Sequence, residues 1–340
     1  MSITALKNAR IVITAFGGPD VLRLVEEDAP LPAPGQVRVR ILAAGVAYAD
    51  ILMRRGLYPG GRQPPFSPGY DIVGEIDSVG DDVATFRPGQ RVAALTMIGG
   101  YSRFLLVPAT QLVSVPVELD PAEAVALVLN YVTAYQMLYR IAKIRSGQCI
   151  LVHSAAGGVG TATLQLGKIA GLRMFGTASR PKHDVISSFG ATPIDYRSED
   201  FVERIHKLVQ EGLDVVLDPI GGTNWSRSYS LLKRGGHLVC YGAQVAVSKG
   251  QLAAGLGFVF LGASKLLPDG KHAGFFNAKT LHDAHFDWFR EDLTILFDLL
   301  SRRQIQPVVA AKFPLRDAAQ ANALLEGGSV SGKLVLLCQE

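Results

Sequence analysis

The chain has 340 residues, 48% of them apolar, with 34 Lys and Arg against 30 Asp and Glu, a formal charge of +4. That length exceeds what one core usually serves, so two domains are expected. No dense basic tract is present, which argues against nucleic acid as a partner. Cys149, Cys240 and Cys338 each sit in an apolar run, without metal or disulfide spacing, and fit a reduced, cytosolic setting. The opening MSITALKNARIVIT has no apolar core of signal-peptide length.

In chain order, residues 10–120 read as mostly β. Strands are expected at Arg10–Ala15, Gln36–Ala44, Asp71–Val79, Arg91–Leu95 and Ser102–Pro108, punctuated by turns such as Pro34-Gly35 and Pro88-Gly89. Many short strands with such turns predict a barrel-like β domain. At Asp120 the pattern changes. Asp120 can cap a helix with Pro121 in its first position and Glu123 in its third, a start that resembles a capping box. Strands and helices then alternate. Cys149–Val152 precedes a helix at Gly160–Ala170, Arg173–Ala178 one at Pro181–Phe189, and Thr192–Asp195 one at Ser198–Gln210. Leu213–Asp218 precedes Asn224–Leu232, and His237–Tyr241 follows. This alternation predicts a doubly wound parallel sheet. Leu252–Leu267 is the most hydrophobic stretch; it is short for a membrane span and reads as a buried or interface segment. Ala273–Asn277, a helix at Phe286–Arg303 and a β-α-β end (Val308–Phe313, Asp317–Glu326, Gly332–Leu337) complete the chain.

The chemistry concentrates in Gly147–Lys168. The run Cys149–Val152 leads into Ser154-Ala155-Ala156-Gly157-Gly158-Val159-Gly160 and then a helical pattern. Strand, glycine turn and helix is the layout that binds a dinucleotide pyrophosphate, with Gly157 admitting the phosphates and Gly160 letting helix pack on strand. Ala155 replaces the usual first glycine. An NAD site carries an acid about 20 residues on, at the end of the second strand. Here the chain reads Ser179-Arg180-Pro181-Lys182, with no carboxylate before Asp184. A small Ser beside Arg180 and Lys182 suits a 2′-phosphate, so NADPH is the expected cofactor.

Gly147, Gln148, Leu151, Ala155, Ala156, Gly157, Gly158, Gly160, Gln165 and Lys168 together resemble the signature of the zeta-crystallin-type quinone oxidoreductases, zinc-independent members of the medium-chain dehydrogenase/reductase superfamily. The likeness spans nearly the whole chain, from Gly17-Gly18-Pro19-Asp20-Val21-Leu22 through Gly45–Pro59 and Pro88–Val92 to Gly332–Val335. Asn130–Tyr135, Leu151–Gly160, Phe175–Ser179 with Lys182-His183, and Pro193–Tyr196 are similar to the vesicle amine transport protein branch. The resemblance implies an α/β chain: a Rossmann domain at 122–278 and a discontinuous GroES-like β-barrel catalytic domain at 1–121 and 279–340. It also implies a homodimer that pairs through the strand matching Ala273–Asn277, in the cytoplasmic setting that the cysteines already suggest.

Matching segment by segment, the resemblance places Tyr48, Tyr58 and Asn130 at the reacting end of the pocket, with Asp50 structural or catalytic. Thr133, the turn Ala156–Gly160, Ser179, Arg180, Lys182, Tyr196, Gly242 and Lys333 would hold the cofactor. The zinc-ligand positions of the superfamily's metal enzymes carry Ala47, Tyr70 and Leu129, and Ala and Leu offer no donor, so no metal is expected. The implied activity is NADPH-dependent reduction of a small quinone or α,β-unsaturated carbonyl compound (an enone), with Ala47 and Leu52 favouring an apolar one. The alternative is an NADPH-binding protein associated with a membrane or partner and with little turnover. Membrane association is the less favoured of these.

Overall fold

The computed structural model describes residues 6–339. Those up to Val132 together with those from His285 form one compact unit, and Thr133–Ala284 form a second.

The first unit begins with β1 (Lys7–Ile13), β2 (Leu22–Asp28), β3 (Gln36–Val46), β4 (Asp71–Val79), β5 (Arg91–Leu95), β6 (Phe104–Pro108) and β7 (Val113–Ser114). The second unit supplies β8 (Cys149–Val152), β9 (Arg173–Ala178), β10 (Thr192–Asp195), β11 (Leu213–Asp218), β12 (Leu232–Cys240) and β13 (His272–Phe275). The chain then returns to the first unit for β14 (Val309–Pro314) and β15 (Lys333–Leu337). β15 lies between β14 and β3, antiparallel to β3, so the expected return of the tail is realised.

β3 shows why this sheet forms. Val37, Val39, Ile41 and Ala43 alternate into the core, while Arg38 and Arg40 point outward and pair with Asp77 and Glu75 on β4. β2 was not expected. Its segment, LRLVEED, is mostly in water on both faces, and only Leu22 is buried. Asp120 does cap its helix, accepting from the amides of Ala122 and Glu123 at 2.9 and 3.0 Å. The reciprocal capping-box bond is replaced, because Glu123 turns to Arg303 at 2.9 Å. That helix, Pro121–Ala126, continues through wide π-type turns at Leu127–Tyr131 and Gln136–Ile141. Such turns insert a residue and often mark functional positions.

In the second unit the strand order is β10-β9-β8-β11-β12-β13, all parallel. Leu151, Phe175, Ile194, Val216, Trp225 and Leu238 lie in one core cluster. The apolar stretch near residue 252 is a helix, Gln251–Ser264. Its inner face, Ala254, Gly257 and Leu261, is buried, and Gly257 lies so close to Trp225 that a Cβ there would meet the indole at 2.6 Å. Its outer face is apolar too, with Leu252 90% and Val259 71% exposed. Of the two expected readings, burial describes the inner face, and the outer face is left apolar and exposed. No helix among the described residues is long and apolar enough to cross a membrane.

Candidate functional site

The second unit's sheet reverses its strand order at β8: β9 and β10 extend to one side, β11 to β13 to the other. Ligands of such sheets bind outside the carboxyl ends of the strands at this point. The chain leaves β8 through Ser154, which adopts φ +53°, and Gly157 N–H closes the turn on Ser154 O at 2.9 Å. Gly157 then caps the helix Gly158–Ile169 without any side-chain acceptor. The first-turn amides are thus left for an anion. Gly160 is obligatory, since a Cβ there would overlap Ser154 O and lie 2.5 Å from Ala155 O. The alanine at position 155 is balanced across the sheet. A Cβ on Gly176 of β9 would sit 2.6 Å from the Ala155 Cβ, so the small residue has moved to the neighbouring strand.

The ends of β9 and β10 build a cationic corner. Ser179 opens a short 3-10 turn, Arg180–Lys182. The register Asp195↔Ala178 brings Tyr196 and Arg197 alongside it. Arg197 lies 5.9 Å from the Tyr196 ring centroid, and Tyr196 is exposed. Burial, and then Arg197, push the Lys182 ammonium below its ordinary value. Arg197 was not anticipated, because only the strand register places it beside Lys182. The nearby Asp195 carboxylate is engaged locally, accepting from the Arg197 amide and the Ser198 hydroxyl at 3.1 Å each.

Behind the turn lies a buried polar set. Asp218, at the end of β11, accepts from Ile220 N, Asn224 Nδ2 and Ser228 Oγ at 2.7–2.8 Å. Ser228 Oγ is 3.1 Å from His153 Nε2, and His153 Nδ1 is 3.0 Å from Thr177 Oγ1. Burial holds His153 below its ordinary pKa. The residue types are those of a hydrolytic triad, which the sequence did not suggest. Here the carboxylate serves the serine and all three are buried, so the set fixes loops at the strand ends. Gly242, after β12, is half-buried, and a Cβ on it would lie 3.0 Å from Pro219 O. Thr133 is buried at the start of this unit.

Tyr48, Tyr58, Asn130 and Lys333 all belong to the first unit. Tyr48 starts the helix Tyr48–Arg54 and is half-buried; burial, and secondarily Glu326, push its phenol up to about 12. Asp50 is fully buried. It accepts from Ala47 N (2.9 Å), Gly69 N (3.0 Å) and Tyr101 Oη (3.0 Å), and burial pushes it up to about 6. Those bonds give Asp50 a structural role, tying the helix start to the turn before β4. Half-buried Tyr58 has its hydroxyl 3.0 Å from that of buried Tyr70. Asn130 is buried on the first wide turn. Lys333, expected at the cofactor, has its ammonium in a buried pair with Asp71. Among the described residues, no cluster of three or more His, Cys, Asp or Glu is placed to hold a metal.

Residues 33–117 match the family model for the alcohol dehydrogenase GroES-like domain, and residues 189–336 that for the zinc-binding dehydrogenase. The chain is 35% identical over 340 residues to a synaptic vesicle membrane protein VAT-1 homolog of Danio rerio, covering 96% of this chain and 69% of that protein. The corresponding matches in rat, mouse and human cover 58–60% of those proteins, so this chain spans less than two thirds of their length. The human quinone oxidoreductase is 30% identical over 330 residues, 95% of each chain. The crystal structure of the Escherichia coli quinone oxidoreductase complexed with NADPH superposes with a TM-score of 0.86 at 29% identity, over 97% of this chain and 99% of that one.

Proposed function

The chain belongs to the medium-chain dehydrogenase/reductase family, and from that premise we propose that it is an NADPH-dependent oxidoreductase that reduces quinones or α,β-unsaturated carbonyl compounds without a metal. The observation that carries the cofactor choice is the corner formed by Ser179, Arg180, Lys182 and Arg197, three cations where an NAD site would carry an acid. The turn fits the rest of the dinucleotide. The amides from Ala156 to Gly160 would receive the pyrophosphate, Tyr196 would flank the adenosine, and Gly242 and Thr133 would lie toward the nicotinamide. NADPH supplies the hydride.

The protein's own part is to orient the acceptor and stabilise charge on its oxygen. Tyr48, Tyr58 and Asn130 bring two hydroxyls and an amide for that task. A conjugated acceptor is already electrophilic, whereas a simple ketone usually needs a Lewis acid. Ala47 and Leu129 at ligand positions support the metal-free reading. An NADPH-oxidation screen over quinones, enones, enals, ketones and alcohols tests it. Quinone or enone turnover with silent alcohols is expected, and turnover of alcohols, or one zinc per chain lost together with activity, would overturn it.

The outward apolar face of the helix Gln251–Ser264 favours one second reading, an NADPH-binding protein docked on a membrane or partner with little turnover. Its signature would be tight NADPH binding, no acceptor reduced, and flotation with lipid vesicles that is lost when Leu252 and Leu256 are made polar.

A further inference from the structure

We infer that the first unit carries a small-molecule site of its own, on one face of β1 and β2, that takes a small organic anion: a carboxylate on a compact apolar body. The inference does not rest on the reductase reading above. The site is an open cavity of about 460 Å³, within the ~300–1,000 Å³ range of small-molecule pockets. Its lining comes from β1, β2, β6 and residues 62–67 and 98–102, all in the first unit. The floor follows from strand alternation. Asn8 and Arg10 are two apart on β1 and share a face. Glu27 lies opposite Asn8 on β2, and Ser102 lies opposite Arg10 on the other side. Arg10 is locked in place: Nε and Nη2 donate to the two oxygens of Glu27 at 2.8 and 3.0 Å, and Nη1 donates to Ser67 Oγ at 3.0 Å. Ser102 spends its hydroxyl on Gly99 O at 2.7 Å.

Asn8 is the feature that points to a ligand. It is 3% exposed and lines the cavity. Its Oδ1 accepts from Phe104 N at 2.8 Å, which fixes the orientation of the amide. Its Nδ2 is left to the cavity, with no acceptor among the described residues. A buried donor needs a partner, and a ligand in the cavity can supply one. Two further donors converge there. The Ser67 hydroxyl accepts from Arg10 and has no acceptor of its own among the described residues. Arg62, exposed at the rim, makes no ion pair with the described residues. Arg10 and Glu27 neutralise each other, so the Arg62 charge is uncompensated. Free donors, a surplus positive charge and a carboxylate already occupied select an anionic acceptor over a cation. Phe66, Ile98 and Leu105 line the rest of the cavity and suit an apolar body, which an inorganic anion lacks.

The test is a ligand-observed NMR titration of the full chain with benzoate and hexanoate, against benzyl alcohol, hexanol and inorganic phosphate. Each carboxylate is expected to bind at least tenfold more tightly than its alcohol and than phosphate. Arg62→Ala removes a side chain that holds nothing in the fold, and should weaken benzoate about tenfold, the worth of one hydrogen bond to a charged group. Asn8→Asp keeps the acceptor for Phe104 N and turns the free donor into a carboxylate oxygen, so it should weaken benzoate by roughly tenfold or more. A folded variant of either kind that binds benzoate like the parent overturns the inference, because the carboxylate then sits elsewhere. Failure of every probe to bind overturns it too, as does equal binding of carboxylate and alcohol or of carboxylate and phosphate. If Asn8→Asp fails to fold, Arg62→Ala decides alone. None of these outcomes bears on acceptor reduction, so the reductase reading stands or falls separately.

Discussion

Lys333 Nζ lies 2.9 and 3.1 Å from the two carboxylate oxygens of Asp71, with both side chains buried. The pair also explains Gly45, because a Cβ at that position would overlap both of its members. Lys333→Met should cost about 3–5 kcal/mol in a urea titration, since it strands a buried carboxylate. Lys333→Met with Asp71→Leu should recover most of that loss. If the double variant folds and its NADPH affinity equals the parent's, Lys333 serves the sheet and not the cofactor.

Arg180→Ala should weaken NADPH about ten- to a hundredfold by calorimetry and leave NADH nearly unchanged, because a hydrogen bond to a charged group is worth ~1.5–3 kcal/mol. Arg197→Ala should act in the same direction, since Arg197 already lies close enough to depress Lys182. Equal weakening of both cofactors would mean that this corner does not read the 2′-phosphate.

Gly160→Ala should abolish dinucleotide binding and destabilise the chain by about 1–3 kcal/mol or more, because the added methyl meets backbone on two sides. Gly255→Ala, where a Cβ meets nothing within 4 Å, is the matched control and should fold normally.

His153 sets a pH dependence. Burial, with Arg227 adding and Asp218 opposing, lowers its folded pKa below 6.5. The unfolded chain therefore takes up the proton first, and stability falls as pH drops from 6.5 toward the folded value, by at most about 1.4 kcal/mol per pH unit. Asp50 acts in the opposite sense. Its folded pKa of about 6 exceeds the ordinary 3.8, so its contribution is present at low pH and is lost as pH rises through about 6. Comparing urea midpoints of the parent and His153→Gln between pH 7.5 and 5.5 isolates the histidine: the variant should show a shallower loss on acidification.

Among the described residues β13 ends its sheet, and its edge and the outer face of the helix Gln251–Ser264 adjoin through Phe275 and Phe258, whose ring centroids are 5.2 Å apart. An open edge beside an apolar face calls for cover, and two copies of one chain can cover each other. Light scattering at micromolar concentration should give a dimer mass, and Leu256→Asp should reduce it to a monomer. A monomeric parent would refute this.

The Rossmann half was legible because its strands are buried on both faces, so CILV and the VVL within LDVVLD stand out as short unbroken apolar runs. The glycine turn and the cap at Asp120 are local signals and were equally readable. What stayed hidden depends on residues distant in the chain. Gly176 makes room for Ala155, Arg197 reaches Lys182 only through the β9–β10 register, and His153, Asp218 and Ser228 come from three separate elements. The wide turns that carry Asn130 leave no mark in composition, since a longer hydrogen-bond ring uses the same residues. β2 was missed because its charged, mostly exposed residues mimic a loop.

β15 has a consequence for how the protein is born. It fills an interior place in its sheet, between β14 and β3, yet emerges from the ribosome long after β3. The second unit is contiguous from Thr133 to Ala284 and has all six of its strands once that stretch is made. Domains fold as units during synthesis, usually the N-terminal one first. Here the order is inverted: the middle of the chain can settle while β3 still waits for the neighbour that binds Ala43–Val46. In that interval an apolar strand edge is open to other nascent chains, so pausing late in translation, or loss of the residues after Gly332, would hazard the first-made half of the protein rather than the last.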